Sequence, residues 1–107
     1  MKTKLSTVMV ALFLIVVSIL LLNSKFKITA YCMGTTTFTG KPVKVGMCAV
    51  DPRVIPLGSK VIIKGIGTFV AEDTGGKVKG RTIDIYIPDC EKAWEFGVKR
   101  ASVKIRR

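Results

Sequence analysis

Residues 71–86 carry the sequence AEDTGGKVKGRTIDIY, and the fold class follows from this stretch and its surroundings. A strand candidate ends at Glu72, and the loop after it contains three glycines, which leave open space beside the Asp73 carboxylate. The next strand candidate alternates, so that Ile83 and Ile85 share one face and Asp84 lies on the other. Two strands around a glycine-rich loop predict a β domain.

Glycine and proline divide the rest of the chain into short segments rich in β-branched residues, and each segment predicts a strand. One short helix is predicted after Pro88, because Asp89 can cap its first amides and Gly97 suits its C-terminal end. Residues 33–46 predict a loop or loose hairpin. The predicted strands cover residues 27–32, 47–50, 60–64, 68–72, 82–87 and 101–105. About six strands with one helix predict a mainly β fold, a small closed barrel.

The N-terminal segment has a different composition. Lys2 and Lys4 precede an apolar run over residues 8–22 that only a serine interrupts. Basic residues followed by an apolar run are typical of a secretory signal. Residues 1–24 are therefore predicted to be a signal anchor, with residues 5–22 in the membrane, or a cleaved signal peptide. The functional domain is then residues 25–107, outside the cytoplasm.

The charge and the cysteines are consistent with an exported protein. The chain has 18 Lys and Arg and 7 Asp and Glu, a net charge of +11, which attracts polyanions. Export argues against nucleic acid as the partner and favours anionic wall polymers or membrane headgroups. The three cysteines allow one disulfide, for which Cys32–Cys48 is the preferred pair, or remain as three free thiols. The chain has no histidine, which excludes Ser-His and Cys-His nucleophile pairs.

Three of the seven acids lie in apolar or glycine-bounded settings: Asp51, Asp73 and Asp84. An acid in an apolar strand needs hydrogen-bond partners or becomes costly to bury. Burial also raises the pKa of a carboxyl group, as a general acid requires near neutral pH. Asp84 fits this description, and like-charge repulsion from Asp73 is expected to raise one of the two pKa values. Asp51 precedes a proline and is also typical of a turn.

These motifs together resemble the three-aspartate (3D) domain over nearly the whole of residues 27–107. The family includes stationary-phase survival muralytic enzymes and the C-terminal part of membrane-bound lytic transglycosylase A. The resemblance is carried by TAY at 29–31, AVDP at 49–52, IPLG at 55–58, AEDTGG at 71–76, KG at 79–80, IDIY at 83–86, FG at 96–97 and VKI at 103–105.

The resemblance implies a double-psi β-barrel that cleaves peptidoglycan between N-acetylmuramic acid and N-acetylglucosamine, leaving a 1,6-anhydro end. It implies Asp84 as the acid and then the base, Asp73 as its assistant and Asp51 as support for the site. No metal or cofactor is expected. The residues expected to contact the substrate are Tyr31, Thr74, Gly75, Gly76 and Lys79.

Two other interpretations remain. A non-catalytic glycan-binding module is the main alternative, although such a module would be expected to expose more aromatic residues than this chain, in which Trp94 is predicted to pack into the core. An aspartic protease is suggested by Asp73-Thr74-Gly75, but Glu72 breaks the apolar pattern that normally precedes this tripeptide.

Overall fold

The computed structural model of the chain describes residues 2–23 and 25–107, and within them the fold is mainly β, with seven strands and two helices. Every predicted strand is present, and only the last differs in kind, because it is divided in two at Ser102. The elements are α1 (Lys2–Asn23), β1 (Phe26–Tyr31), β2 (Met47–Val50), β3 (Lys60–Ile63), β4 (Gly67–Asp73), β5 (Thr82–Tyr86), α2 (Cys90–Phe96), β6 (Lys99–Ala101) and β7 (Val103–Arg106).

All seven strands form one sheet in the order β6-β1-β5-β2-β4-β3-β7. The pairs β1–β5 and β2–β4 are parallel, and the remaining pairs are antiparallel. One face of the sheet is apolar and forms the core, where Ile28, Val50, Val61 and Ile83 are fully buried. The alternation predicted for β5 is confirmed, because its isoleucines enter this core while Asp84 lies on the opposite, outer face.

The prediction of a closed barrel is wrong in one respect, because the hydrogen-bonded ladder does not close. The two edge strands, β6 and β7, are consecutive in the chain and separated by Ser102 alone. A single residue cannot form a hairpin turn, so the two strands cannot fold back and pair with each other. They pair instead with β1 and β3, and the sheet curls until its two edges meet at Ser102.

The short helix α2 begins and ends as its sequence predicts. The Asp89 carboxylate accepts hydrogen bonds from the amides of Glu91 and Lys92 at 3.0 and 3.3 Å. Gly97, at the C-terminal end, has a φ of +66°, a conformation that L side chains rarely adopt.

The disulfide and the tryptophan correct two expectations. Cys32, at the end of β1, is bonded to Cys90 in the first turn of α2, with 5.0 Å between their Cα atoms. The expected Cys32–Cys48 bond is wrong, because Cys48 lies in the buried centre of β2 as a free thiol. Trp94 is 83% exposed, whereas Ala93 is buried and Phe96 packs against the core.

The N-terminal residues form α1, and between residues 4 and 20 its apolar side chains are exposed around the helix, apart from the partly buried Val17. Neither helix in residues 2–23 and 25–107 has the length and apolar character needed to cross a membrane. The anchor predicted over residues 5–22 is accordingly not supported. Met1 and Ser24, the limits of the predicted signal segment, lie outside the described residues, and the division at 24/25 stays a prediction.

Candidate functional site

Four strands bring the candidate site together in one row across the outer face of the sheet. Ala49 in β2 is opposite Asp84 in β5 on one side and opposite Asp73 in β4 on the other. Thr29 in β1 is opposite Asp84 on its far side. Because neighbouring strands lie about 4.8 Å apart, the backbones of Asp73 and Asp84 are separated by about 10 Å. The small side chain of Ala49 lies between the two carboxyl groups.

A β-bulge in β4 sets this register. Cys48 pairs with Ala71, but Ala49 pairs with Asp73, so Glu72 is an extra residue without a partner in β2. In a regular ladder Ala49 would face Glu72, and the following acid would point toward the core. The bulge therefore places Asp73 on the same face as Asp84.

The Asp84 carboxyl group is half-buried and accepts a hydrogen bond from a neighbouring strand. The Thr29 hydroxyl donates to Asp84 Oδ1 at 2.9 Å. Burial raises the pKa of Asp84, and the Thr29 hydrogen bond opposes this shift because it stabilises the carboxylate. The expected repulsion from Asp73 is not among the causes of the shift. Burial, followed by the charge of Asp84, raises the pKa of the Cys48 thiol to about 12, so Cys48 is not a nucleophile at neutral pH.

Asp73 is held by backbone amides. Its Oδ1 atom accepts hydrogen bonds from the amides of Thr74 at 2.9 Å and of Phe38 at 3.0 Å. The buried Tyr31 hydroxyl lies near Asp73 but makes no hydrogen bond of good geometry among the described residues. Burial, and then the charges of Asp73 and Asp84, raise the pKa of Tyr31, so this phenol keeps its proton.

These groups surround an open pocket of about 220 Å³. Of the predicted substrate-binding residues, Tyr31, Thr74 and Gly75 line the pocket, whereas Gly76 and Lys79 lie outside its lining. A Cβ atom on Gly75 would come within 2.9 Å of the Val78 side chain, so a glycine lets the loop close over this side. The lining residues are Tyr31, Met33, Ala49, Asp73, Thr74, Gly75, Val78 and Asp84.

Asp51 lies outside the pocket and has a different environment. It is 2% exposed, and its carboxylate accepts hydrogen bonds from the side chain and the amide of Arg53. A further hydrogen bond at 2.8 Å comes from the amide of Gly80, in the loop that leads into β5. The hydrogen bonds from Arg53 and Gly80 lower the pKa of Asp51, which keeps it ionised. Asp51 therefore joins two loops and does not face the two other aspartates.

Several residues of the site were not identified from the sequence. Thr29 and Ala49 belong to the site because the strand register places them opposite the aspartates, and no local sequence pattern reveals that register. Phe38 contributes only its amide, and Met33 and Val78 belong to loops with weak structural signals. For Thr29 a signal did exist, because it begins the TAY motif that ends at Tyr31.

Comparison with known proteins identifies the family of the chain. The model of the 3D domain family matches residues 46–106, which include all three aspartates. The cell wall-binding protein YocH of Bacillus subtilis (strain 168) is 54% identical over 57 residues, which cover 53% of this chain and 20% of the relative. The putative cell wall shaping protein YabE of the same organism is 43% identical over 83 residues, which cover 72% of this chain and 20% of the relative.

The chain thus spans about a fifth of the length of each of these two relatives. The family match extends over more than half of the chain and contains the strands that carry Ala49, Asp73 and Asp84. The resemblance found in the sequence is confirmed, and the chain belongs to the 3D domain family.

Proposed function

We propose that this chain is a lytic transglycosylase of peptidoglycan. It cleaves the β-1,4 bond between N-acetylmuramic acid and N-acetylglucosamine and leaves a 1,6-anhydro-N-acetylmuramic acid end. One observation carries the proposal: the half-buried Asp84 has a raised pKa, bonds to the Thr29 hydroxyl and lies in a pocket with a second carboxylate, Asp73.

The reaction begins with proton transfer from Asp84 to the glycosidic oxygen, and burial, which raises the pKa of Asp84, suits this residue to the role of proton donor. The bond between C1 of the muramic acid and that oxygen then breaks, and positive charge develops on the sugar ring. Asp73 supports this charge, since its carboxylate is fixed by two amides and stays in place as the charge forms.

The second half of the reaction uses the same acid as a base. The Asp84 carboxylate, now stabilised by the Thr29 hydroxyl, removes the proton from the C6 hydroxyl of the sugar. The C6 oxygen bonds to C1 and closes the anhydro ring, so no water is consumed. Burial and the Thr29 hydrogen bond act in opposite directions on the pKa of Asp84, which suits a group that must give up and then regain one proton.

The remaining predicted residues have supporting roles in this proposal. Tyr31 and the backbone at Thr74 and Gly75 contact the sugar in the pocket. Gly76 and Lys79 lie farther along the exposed loop, where they would meet neighbouring sugar or peptide groups. Asp51 acts by holding that loop through Gly80.

We place the protein at the cell wall, exported through residues 1–24. The names of the two relatives refer to wall binding and wall shaping, and the basic surface suits anionic wall polymers. Peptidoglycan glycan strands are the proposed substrate.

A non-catalytic glycan-binding module is the second candidate. The name of YocH and the exposed rings of Trp94 and Phe38 favour it, because exposed aromatic rings are suitable for contact with sugars. Binding alone would require no proton donor, so the two candidates differ in what Asp84 does.

Mass spectrometry of purified peptidoglycan after incubation with the protein separates the candidates. Fragments ending in 1,6-anhydro-N-acetylmuramic acid are expected from the wild type and from Asp89→Asn, a control that changes an exposed helix cap. Asp84→Asn is expected to give none while remaining folded. Fragments heavier by one water would indicate a hydrolase, and an active Asp84→Asn protein would exclude the proposed mechanism. Pelleting with the wall without any fragments would establish the binding module.

A further inference from the structure

A second and larger cavity, of about 440 Å³, lies on the same outer face as the aspartate pocket. The two cavities are adjacent, because Met47 lines one and Ala49, two residues along β2, lines the other. Its floor is largely apolar. The cavity is lined by Lys41, Lys44, Val45, Gly46, Met47, Thr68, Val70 and Glu72.

A row of cationic side chains lies beside this cavity, on strands that follow β4 in the sheet. Lys60 in β3 is opposite Val70 of the cavity wall on one side and opposite Arg106 of β7 on the other. Lys104 is two residues before Arg106 and faces the same way. We call the cavity and these three side chains the basic cleft.

The basic cleft has far more positive than negative charge. Within the described chain, Glu72 is the one carboxylate that lines the cavity, and it already has hydrogen-bond partners in the protein. It bonds to the Lys41 ammonium at 3.1 Å and to the Thr39 hydroxyl at 2.6 Å, and these bonds lower its pKa. The cations of the basic cleft that form no ion pair in the described chain are Lys44, Lys60, Lys104 and Arg106. The charge of Lys44 nevertheless adds to the lowering of the Glu72 pKa.

The opposition of Lys60 and Arg106 is unfavourable in the free protein, because like charges directly across a strand pair repel each other. This repulsion does not stabilise the fold, and an anion that binds between the two side chains relieves it. The basic cleft is therefore more consistent with a binding surface than with a stabilising one.

We propose that the basic cleft binds a polyol phosphate, a wall polymer in which phosphodiester groups alternate with short carbon chains. Lys104 and Arg106 are about 7 Å apart along the strand, so one phosphate can meet each. The carbon segments lie on Val45, Met47 and Val70, which form the apolar floor. This inference rests on the wall location proposed above and adds a second ligand to it.

The test measures how binding of purified poly(glycerol phosphate) to the full chain depends on salt. If each of the four cations without an ion pair contributes about 0.7 to the slope of log association constant against log salt concentration, the association constant should fall about 50-fold between 50 and 200 mM salt. The double variant Lys104→Gln/Arg106→Gln is expected to fall only about 7-fold over the same interval. The control Lys25→Gln/Lys92→Gln loses the same charge away from the basic cleft and is expected to behave as the wild type.

The outcomes distinguish this inference from the proposed enzyme activity. Lys104→Gln/Arg106→Gln should still cleave peptidoglycan stripped of its phosphate polymers, whereas Asp84→Asn should still bind the polymer. The unfolding midpoint of Lys104→Gln/Arg106→Gln should not be lowered, since this double variant removes the repulsion between Lys60 and Arg106. Equal salt slopes in the wild type and this double variant would overturn the assignment. Stronger binding to phosphatidylglycerol vesicles than to the polymer would also overturn it, in favour of a membrane surface.

Discussion

Breaking the Cys32–Cys90 disulfide is expected to remove a large part of the domain's stability. The two cysteines are 58 residues apart, so the bond closes a loop over most of the domain. Loop-closure entropy for that separation corresponds to about 4 kcal/mol. A domain of this size is stable by roughly 5–15 kcal/mol, so the double variant Cys32→Ser/Cys90→Ser should stay folded with a small margin.

Urea unfolding read by pulsed proteolysis measures this loss directly. With an m-value of about 2 kcal/mol/M, the unfolding midpoint should fall by about 2 M. Reductant provides the matched control, because it should lower the wild-type midpoint to that of the double variant and leave the variant unchanged. Cys48 is present in both proteins and does not affect the comparison. A wild-type midpoint that reductant leaves unchanged would refute the reasoning.

Two further predictions concern the aspartate pocket. Asp84→Asn is expected to unfold at a higher urea concentration than the wild type at pH 7. Because the pKa of Asp84 is raised in the folded protein, ionisation of Asp84 lowers the free energy of unfolding once the pH exceeds the pKa of this residue in the unfolded chain, near 4. The gain in stability of Asp84→Asn over the wild type should therefore vanish below about pH 4. Ala49→Leu should slow glycan cleavage at least about tenfold, a loss of about 1.4 kcal/mol in activation free energy, because the added side chain fills the space between the two carboxyl groups. Overpacking should separately lower the stability of the fold by about 1–3 kcal/mol. Ala49→Ser, of nearly unchanged size, should retain activity in the same cleavage assay.

Local sequence patterns were sufficient to predict the strands and α2. Glycine and proline mark the ends of most elements, and the alternation around Asp84 identifies its face correctly. The Asp89 cap and the Gly97 end were also predicted, because a helix boundary depends on a few neighbouring residues.

Features that depend on contacts between distant segments could not be predicted in this way. The partner of Cys32 depends on where α2 packs, and nothing near Cys90 in the sequence indicates it. Trp94 was expected in the core, but α2 is short and buries the adjacent Ala93 instead. The prediction that the barrel closes was wrong, because closure depends on the single residue between β6 and β7.

The two aspartates that line the pocket were proposed from the sequence, but the geometry that brings them together was not. Asp73 and Asp84 were identified, whereas the position of Ala49 between them depends on the register of three strands. Asp51 carries the same side chain and has a different role, since Arg53 and Gly80 occupy its oxygens. The sequence alone could not separate these environments.

The bulge at Glu72 has a consequence for how a wall strand can lie on the domain. Two consecutive acids occupy the same face, with Glu72 in the basic cleft and Asp73 in the aspartate pocket. The two proposed ligand sites are thus joined by a single peptide unit, in a fixed order and at a fixed interval. A glycan that carries a polyol phosphate would occupy both proposed sites in one direction only, which would give the domain a polarity along the strand that we propose it cleaves.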